Sequence, residues 1–539
     1  MKIFCTASSD TYITNKIING NTRVTDANVG RASVLDIFKL YDESSLPTTE
    51  KSNSPGDFNL DTDADGTCET AIELSRALIK FDLGKINSLT GSKLNLNSSN
   101  FSAHLKLFDV RSGHAVPRGF TVMAIPLSQS FDEGQGRDLS SFNDIDVSNF
   151  ITASYSNGTT SVWNGQGAST SGSLGTLNVD LVDKANFGDG SGNRELVFNQ
   201  KFVEGTEDLS LDITAFVSAS VAGLIDNHGF RISFTGSEET DSKSRFIKRF
   251  ASRHVSNPHI RPRIEVSFDD SKFDHHENFF FDMSGSLFLN SFDRNGPANV
   301  LSGTAGTVAE KMGSNCLKVK LVHKDFTETV FASSHQAGTI KSDKTRFVTG
   351  VYSASFMVQS QDTALVDRDT SLAKLVASAG KIKFEEYWVS TDETYGYHTG
   401  SVTISKIDRN SSNFITNEVS VHAINLESEY RTDDEITVRV FGRNFEKEND
   451  DPVKVPYSRK SESFEKIYYR IKDFDSGKTV FDFGEKDNST RLSTDSEGMF
   501  FDFHIDVLPV GRSYTFEYLI VDRGIRKIVA DKNAVFRVK

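Results

Sequence analysis

Hydrophobic residues along this chain recur in short alternating or compact runs, which is the pattern of β-strands. Apolar runs of about four to eight positions are bounded by Gly, Asn, Asp and Ser along the chain. Typical runs span 103–110, 120–127, 230–236 and 261–268. Helical periodicity is rare, and its best example is 212–226, where apolar residues fall on one face. The pattern predicts an all-β protein with an occasional short helix.

The strand pattern divides the chain into three predicted domains. A charged stretch near 268–281 ends the first block, residues 1–270, and a second β-rich block covers 271–428. Residues 429–539 contain evenly spaced strands with strict alternation, which indicates an immunoglobulin-like β-sandwich without the usual Cys…Trp…Cys core. A chain of 539 residues exceeds the size at which single cores stop growing, so several domains are expected.

Composition and charge exclude several classes of partner. The 38 Gly against 10 Pro, and 42 Phe against 2 Trp, are typical of a turn-rich β-protein with many buried rings. The net charge is -14 and no basic tract is present, so binding to nucleic acid or to an anionic membrane is disfavoured. No apolar segment approaches the roughly 20 residues of a membrane span.

The compartment is predicted from the N-terminal residues and the cysteines. The sequence begins without an apolar core of about 7–15 residues, so no signal peptide is expected. Cys5, Cys68 and Cys316 are far apart and odd in number, which argues against a disulfide framework. Folding in a reducing cytosol is the resulting expectation.

One acidic stretch begins like a calcium-binding loop. Asp61, Asp63 and Asp65 occupy alternate positions and Gly66 follows, which matches the first half of an EF-hand-type loop. The bidentate Glu that ends such a loop is replaced by Ile72. Two interpretations stay open: a solvated acidic loop, which the incomplete motif favours, and a structural Ca²⁺ that stiffens the loop without a catalytic role.

Two tryptophans are candidate ligand contacts. Both could stack on sugar rings, but Trp in a β-domain more often packs at a core edge with its N–H satisfied. Trp163 lies in the Gly/Ser/Asn-rich stretch 141–200, so it is predicted to be exposed and to be the ligand contact. Trp388 is predicted to belong to a core or an interface.

No catalytic constellation can be named from the sequence. His275, His276 and Glu277 are consecutive, and adjacent residues on an extended chain point to opposite sides, which predicts a linker rather than a joint metal site. Glu385 and Glu386 likewise face apart on a strand. Phosphate-binding loops and the G-x-S-x-G and H-E-x-x-H motifs are absent from the sequence. The chain is therefore predicted not to be an enzyme, and no cofactor is predicted apart from the calcium alternative.

Several segments resemble, in order, the DNRLRE-type β-sandwich domain. The matching segments are "SSDTYITN" (8–15), "SRALIKFDL" (75–83), "FSAHLKLF" (101–108) and "FASRHVSNPHIRPRIEVSF" (250–268). The resemblance covers about residues 1–270 and implies a jelly-roll-like β-sandwich related in shape to carbohydrate-binding domains. His254 stands where members often carry Glu. Within the second segment, Leu78 is expected on a strand covered on both faces, and Arg76 in a surface ion pair.

The whole chain also resembles structural proteins of tailed-phage virions, especially those of large myophages. The resemblance rests on the jelly-roll-like front joined to 348–358, to 384–404 and to the sandwich-like end. It implies assembly in the host cytoplasm and release by lysis, which needs no export signal. Other virion proteins and copies of the chain itself are the partners it implies.

Three functions are carried forward. The first is a non-enzymatic structural component of a phage tail, neck or baseplate, acting through large docking surfaces. The second is a glycan-binding or host-surface adhesion module, motivated by the jelly-roll-like front and Trp163. The third is a polysaccharide-degrading enzyme, which would need two carboxylates facing each other across a sugar.

Overall fold

The computed structural model describes residues 1–18, 22–41, 72–90, 93–111, 113, 116–140, 146–186, 192–302, 309–340, 344–406, 419–444, 461–522 and 525–539. The chain forms two compact units. The front unit comprises Ile3–Asn87 and Ser102–Val266, and the rear unit comprises Met1–Lys2, Ser88–Phe101 and Ser267–Lys539. The finer division into three domains stays a prediction.

Strands account for most of the ordered elements in the described part of the first half of the chain. They are β1 (Lys2–Thr14), β2 (Ile17–Ile18), β3 (Thr22–Arg23), β4 (Val34–Tyr41), β5 (Ile72–Phe81), β6 (Ser102–Leu107), β7 (Phe120–Pro126), β8 (Thr152–Ser156), β9 (Thr159–Val162), β10 (Ser171–Ser173), β11 (Leu181–Asn186), β12 (Asn193–Glu195), β13 (Phe198–Phe202), β14 (Leu209–Asp212), β15 (Phe230–Phe234), β16 (Arg245–Ala251) and β17 (Arg263–Ser267). The helices here are α1 (Gly84–Leu89), α2 (Thr214–Val221) and α3 (Gly236–Thr240). α2 confirms the helix predicted within 212–226.

The central strand of the front unit is β5. The main sheet has the order β13-β7-β15-β5-β1-β17-β6-β14, and the start of β5 also pairs with β4, which in turn pairs with β16. Ala77 of β5 lies between Tyr12 of β1 and Ile232 of β15. Every residue of β5 is buried except the half-buried Lys80, as expected for a strand covered on both faces. The front unit is thus an all-β, sandwich-like arrangement.

Arg76 is buried in β5, so the expectation of a surface ion pair is wrong. Its Nε and Nη2 donate to the carboxylate of Glu239 at 3.0 and 2.7 Å, and its Nη1 donates to the Gly167 carbonyl at 2.6 Å. Arg231 lies fully buried nearby, and burial together with the charge of Arg76 lowers its pKa to about 9. The segment that carries Gly167 is what shields these groups from water.

The Gly/Ser-rich stretch between β7 and β13 contributes a small core, which corrects the predicted exposure of Trp163. Its side chain is only 4% exposed, and its Nε1 donates to the Asn149 carbonyl at 3.0 Å. Gly167 and Ala168 adopt φ of 70° and 54°, and these left-handed residues turn the backbone tightly against the Phe150 ring. The small core consists of Ile13, Leu78, Ile125, Leu127, Phe131, Phe150, Ala153, Trp163, Ala168 and Leu181.

The rear unit is also built from strands over its described residues. They are β18 (Phe279–Phe280), β19 (Gly285–Asn290), β20 (Phe292–Asp293), β21 (Gly296–Pro297), β22 (Leu301–Ser302), β23 (Ala309–Glu310), β24 (Leu317–His323), β25 (Phe326–Ile340), β26 (Lys344–Phe356), β27 (Leu365–Asp367), β28 (Thr370–Ser371), β29 (Lys381–Ser390), β30 (Gly396–Ser405), β31 (Val419–Ala423), β32 (Glu429–Tyr430), β33 (Glu435–Asn444), β34 (Ile467–Asp473), β35 (Thr479–Phe481), β36 (Ser493–Asp495), β37 (Gly498–His504), β38 (Ser513–Asp522) and β39 (Ile525–Val538). Among the same described residues, one α-helix, α4 (Leu372–Ala379), accompanies them.

The first sheet of the rear unit curls until its two edges meet. Its order is β18-β30-β29-β24-β25-β26-β19, so the edge strands β18 and β19 are neighbours in sequence. Between them, Phe281 N donates to Ser405 O and Asp282 N to Val358 O, both at 2.9 Å, which brings the β30 and β26 sides together. Trp388 is fully buried inside, which confirms its predicted place in a core.

The C-terminal strands form a two-sheet sandwich. One sheet has the order β31-β33-β37-β36 and the other β32-β39-β38-β34-β35. Rings from the two sheets meet between them: Tyr469 of β34 stacks on Phe501 of β37 at 4.1 Å, and Phe503 of β37 meets Phe516 of β38 edge-on at 6.4 Å. These contacts agree with the predicted sandwich, which also takes in β31 from before residue 429.

Candidate functional site

The predicted calcium ligands cannot be placed. Asp61, Asp63 and Asp65 lie outside the described residues, so the calcium interpretation stays a prediction.

A different group of ionisable side chains meets inside the front unit. We name Asp10, Glu133 and His254 the Asp10 cluster; one potential ligand atom from each lies within 4.8 Å of the others. Glu133 is its centre, because its Oε1 accepts from the Asp10 backbone N–H at 3.1 Å and from His254 Nε2 at 3.1 Å. Arg253 binds the same carboxylate in two places, from Nε at 2.6 Å and from Nη2 at 2.8 Å.

Asn28 fixes the loop that carries Glu133. Its buried side chain donates to the carbonyls of Glu133 and Ser148, both at 2.9 Å, and accepts from Gly136 N at 2.8 Å. A Cβ on Gly134 or Gly136 would approach atoms of Asn28 to 2.4 or 1.7 Å, so this close contact requires glycine at both positions. The loop after Glu133 is therefore packed against Asn28, and this contact holds Glu133 in place.

A tight turn after β16 positions His254. Ser252 donates from Oγ to the Ala32 carbonyl at 2.6 Å and accepts from the His254 backbone N–H at 3.1 Å. The backbone N–H of Arg253 donates to Asp10 Oδ2 at 2.6 Å. Two segments quoted for the DNRLRE resemblance, 8–15 and 250–268, thus meet at the Asp10 cluster.

The carboxyls of the Asp10 cluster have different acidities. Burial raises the pKa of Asp10 to about 7, against the opposing effect of the Arg253 backbone N–H. Burial also acts to raise the pKa of Glu133, but the hydrogen bonds from Arg253 and Asp10 outweigh it and the pKa is lowered. A pair with separated pKa values could in principle act as acid and base. Asp10 is only 1% exposed, however, so a polymer substrate has no access to it.

A second group lies in the rear unit and joins two motifs that the sequence alone had set aside. We name Asp274, His276, Glu386 and Trp388 the His276 cluster. His276 contacts Asp274 Oδ1 through Nδ1 at 2.5 Å and Glu386 Oε2 through Nε2 at 2.8 Å. Trp388 Nε1 donates to Glu386 Oε1 at 2.5 Å. The predicted linker at 275–277 is wrong for His276, which is largely buried and ion-paired.

His276 and Glu386 find all their hydrogen-bond partners within the His276 cluster. Burial lowers the pKa of His276, but hydrogen bonds to Asp274 and Glu386 outweigh burial and raise the pKa to about 10. The protonated ring therefore donates from both nitrogens, and both oxygens of Glu386 accept a hydrogen bond. Such an arrangement stabilises the fold and leaves no ring nitrogen of His276 and no carboxylate oxygen of Glu386 free to bind a ligand.

The sequence correctly predicted that neighbouring side chains point in opposite directions, but it did not predict which residues they contact. Glu385 is exposed and Glu386 buried, which confirms that the two face apart. His275 likewise contacts Ser286 rather than the partners of His276. Pairing between residues more than one hundred positions apart leaves no mark on the local pattern. The sequence did show an acid two positions before Trp388, on the same face of a predicted strand as that core tryptophan.

The segment between β19 and β24 presents apolar side chains to solvent. We name its described residues, 291–302 and 309–313, the exposed arm. Phe292, Leu301 and Met312 in it are 69%, 50% and 52% exposed.

The exposed arm is anchored to β26 by one buried hydroxyl. Tyr352 Oη accepts from Val300 N at 3.0 Å and donates to the Lys311 carbonyl at 2.8 Å. Its ring is fully buried in the rear unit. The apolar side chains are therefore exposed from a fixed backbone.

No family model matches this chain, and no curated protein matches it. Among solved structures, trypsin-activated alpha-2-macroglobulin from Escherichia coli is 10% identical with a TM-score of 0.14, over 83% of this chain and 30% of that chain. A putative membrane anchored protein from Corynebacterium diphtheriae is 8% identical with a TM-score of 0.13, over 100% and 97%. Elastase-activated alpha-2-macroglobulin from Escherichia coli is 7% identical with a TM-score of 0.15, over 100% and 44%.

The chain thus spans less than a third of the first of these structures. At such TM-scores the similarities carry no argument, and the DNRLRE and myophage resemblances stay predictions.

Across the described ranges, no helix combines the length and apolar character that crossing a membrane requires. The longest α-helices there, α2 and α4, have eight residues each.

Proposed function

We propose that this chain is a non-enzymatic structural component of a tailed-phage virion, attached at the tail, neck or baseplate by protein–protein contacts. The exposed arm carries the proposal, because it holds Phe292, Leu301 and Met312 in solvent on an anchored backbone. Apolar side chains that one anchored segment exposes to solvent favour a surface that a partner covers. The resemblance to myophage structural proteins suggests a preformed phage particle as that partner.

The charge of the chain supports late docking of separate copies. A net charge of -14 makes free copies repel one another, which disfavours association before the particle is reached. The arm then supplies contact area that a complementary particle surface can desolvate.

The glycan-binding alternative has lost its main support. Trp163, which motivated it, is buried and donates its N–H to a backbone carbonyl. We therefore do not extend the proposal to a host-surface glycan.

The proposal is tested by co-sedimentation of the chain with particles on a density gradient. The wild-type chain is expected with the particle fraction, and a variant with Phe292→Ser, Leu301→Ser and Met312→Ser is expected free in the lysate. Because all three side chains are exposed, this variant should keep the wild-type circular dichroism spectrum.

A matched control removes three apolar side chains of the front unit that are also at least half exposed. Val162, Leu177 and Val203 are 56%, 87% and 61% exposed, and their replacement by Ser should leave co-sedimentation unchanged. A wild-type chain found only free in lysate would refute the proposal. Particle binding by the folded arm variant at the wild-type level would refute the role of the arm.

A further inference from the structure

We infer that Asp10, Glu133 and His254 form a binding site for one divalent transition-metal ion of the zinc class. The three side chains come from distant parts of the sequence: β1, the loop held by Asn28, and the turn after β16. One ligand atom from each already lies within 4.8 Å of the others. This inference is independent of the proposed virion function.

An unsatisfied buried oxygen supplies a separate reason to expect a ligand. Asp10 is 1% exposed, yet its Oδ1 has no hydrogen-bond partner among the described residues. Its Oδ2 accepts from Arg253 N at 2.6 Å, so the carboxylate is held in place and only one of its oxygens is idle. Buried polar atoms nearly always have partners, and a carboxylate oxygen that lacks one beside a histidine and a second carboxylate is a candidate metal ligand.

The burial of the cluster limits the ligand to a single ion. The Asp10 side chain is fully covered, and those of Glu133 and His254 are 12% and 19% exposed. A sugar or peptide could not reach all three groups at once. A metal ion would enter beside His254, the most exposed of the three side chains, and would bind one atom of each.

The ligand types select the class of metal. One imidazole and two carboxylates suit Zn²⁺ and its neighbours, whereas Ca²⁺ and Mg²⁺ prefer ligand sets made only of oxygen. Ligand atoms bound at about 2.0–2.2 Å to a tetrahedral ion lie roughly 3.5 Å apart. Small side-chain rotations from the present separation of at most 4.8 Å would close the site.

Arg253 makes only one hydrogen bond to Oε2 of Glu133. Its two hydrogen bonds orient the carboxylate, as charged neighbours commonly do for metal ligands. The described contacts of Glu133 Oε2 consist of one hydrogen bond from Arg253, so this oxygen keeps a lone pair. His254 would exchange its hydrogen bond with Glu133 for a bond from Nε2 to the metal.

The test uses the full chain, treated with EDTA and dialysed, and Zn²⁺ as the only added ligand. Isothermal titration is expected to give one high-affinity site per chain. Asp10→Asn and His254→Ala should each weaken it by roughly 100-fold or more, since each removes a ligand. Asp36→Asn is the matched control: Asp36 pairs with Arg249 at 2.6 and 2.7 Å in the same unit, without a histidine in the pair. It should leave zinc affinity unchanged.

Cobalt provides a second measurement that does not depend on how a variant folds. Co²⁺ added to the metal-free wild-type chain should produce visible d–d absorption at one equivalent, and Zn²⁺ should abolish it by displacement. Absence of stoichiometric uptake by the folded wild-type chain would overturn the inference. Wild-type affinity in both folded Asp10→Asn and His254→Ala would overturn it as well.

Discussion

The Asp10 cluster and the His276 cluster use the same residue types and differ in how completely their atoms are satisfied. In each, a histidine contacts a glutamate, and an aspartate lies beside them. In the rear unit, both nitrogens of His276 and both oxygens of Glu386 have partners. In the front unit, Asp10 keeps one buried oxygen without any described partner.

The comparison shows that the same residue types can form either a binding site or a structural ion pair. The second carboxylate of the rear cluster gives His276 a partner on each side and raises its pKa to about 10. The front cluster has an arginine in the corresponding place, so the Glu133 carboxylate is paired with a cation, whereas Asp10 Oδ1 stays buried without a described partner. The rear arrangement stabilises the fold, and the front arrangement can take up an ion.

The largest expected effect comes from His276→Ala, which breaks the closed cluster. Its removal leaves Asp274 and Glu386 buried without a cation, and breaking such a pair costs about 3–5 kcal/mol of unfolding free energy. Each unit contains one of the two tryptophans, so Trp388 fluorescence in a Trp163→Phe background reports urea unfolding of the rear unit.

The control for this variant is His323→Ala, at the end of β24, the strand that pairs with the Glu386 strand β29. It removes one hydrogen bond to the Lys383 carbonyl at 2.8 Å and should cost only about 0.5–1.5 kcal/mol. An equal loss for both variants would show that the His276 cluster is not an internal ion pair.

The same cluster predicts how stability changes with pH. The pKa of His276 is raised from 6.5 to about 10, so its contribution is complete below pH 6.5 and is lost as pH rises towards 10. Over that window the wild-type chain should lose on the order of 3 kcal/mol more than His276→Gln. Parallel pH profiles of the two proteins, from urea unfolding at each pH, would contradict the assignment.

The sequence predicted the strands well because alternation is a local signal. The runs at 120–127 and 230–236 became β7 (Phe120–Pro126) and β15 (Phe230–Phe234), and α2 lies within its predicted range. Leu78 lies on a strand buried on both faces, as its apolar neighbours indicated.

Residue partners could not be predicted, because they depend on which strands and loops fold together. Arg76 was expected at the surface, since nothing in its own strand reveals that the Gly167 segment covers it. The predicted exposure of Trp163 failed for the same reason. Asp10, Glu133 and His254 are separated by more than one hundred residues, so only the three-dimensional fold brings them together.

The smallest expected difference in unfolding free energy is between variants of the two tryptophans. Trp388→Phe leaves a buried carboxylate oxygen of Glu386 without its donor and should cost about 1.5–3 kcal/mol, whereas Trp163→Phe removes a bond to a neutral carbonyl and should cost about 0.5–1.5 kcal/mol. Urea unfolding followed by circular dichroism measures both. An equal or reversed order would mean that the Glu386 carboxylate does not depend on its tryptophan.

Anomalous diffraction from zinc-soaked crystals of the full chain tests the contrast between the two clusters most directly. Data collected on both sides of the zinc absorption edge should show a peak bounded by Asp10, Glu133 and His254, and no peak beside His276 and Glu386. A zinc peak at the His276 cluster, or none at the Asp10 cluster, would contradict the view that an unsatisfied buried oxygen distinguishes a binding site from a structural ion pair.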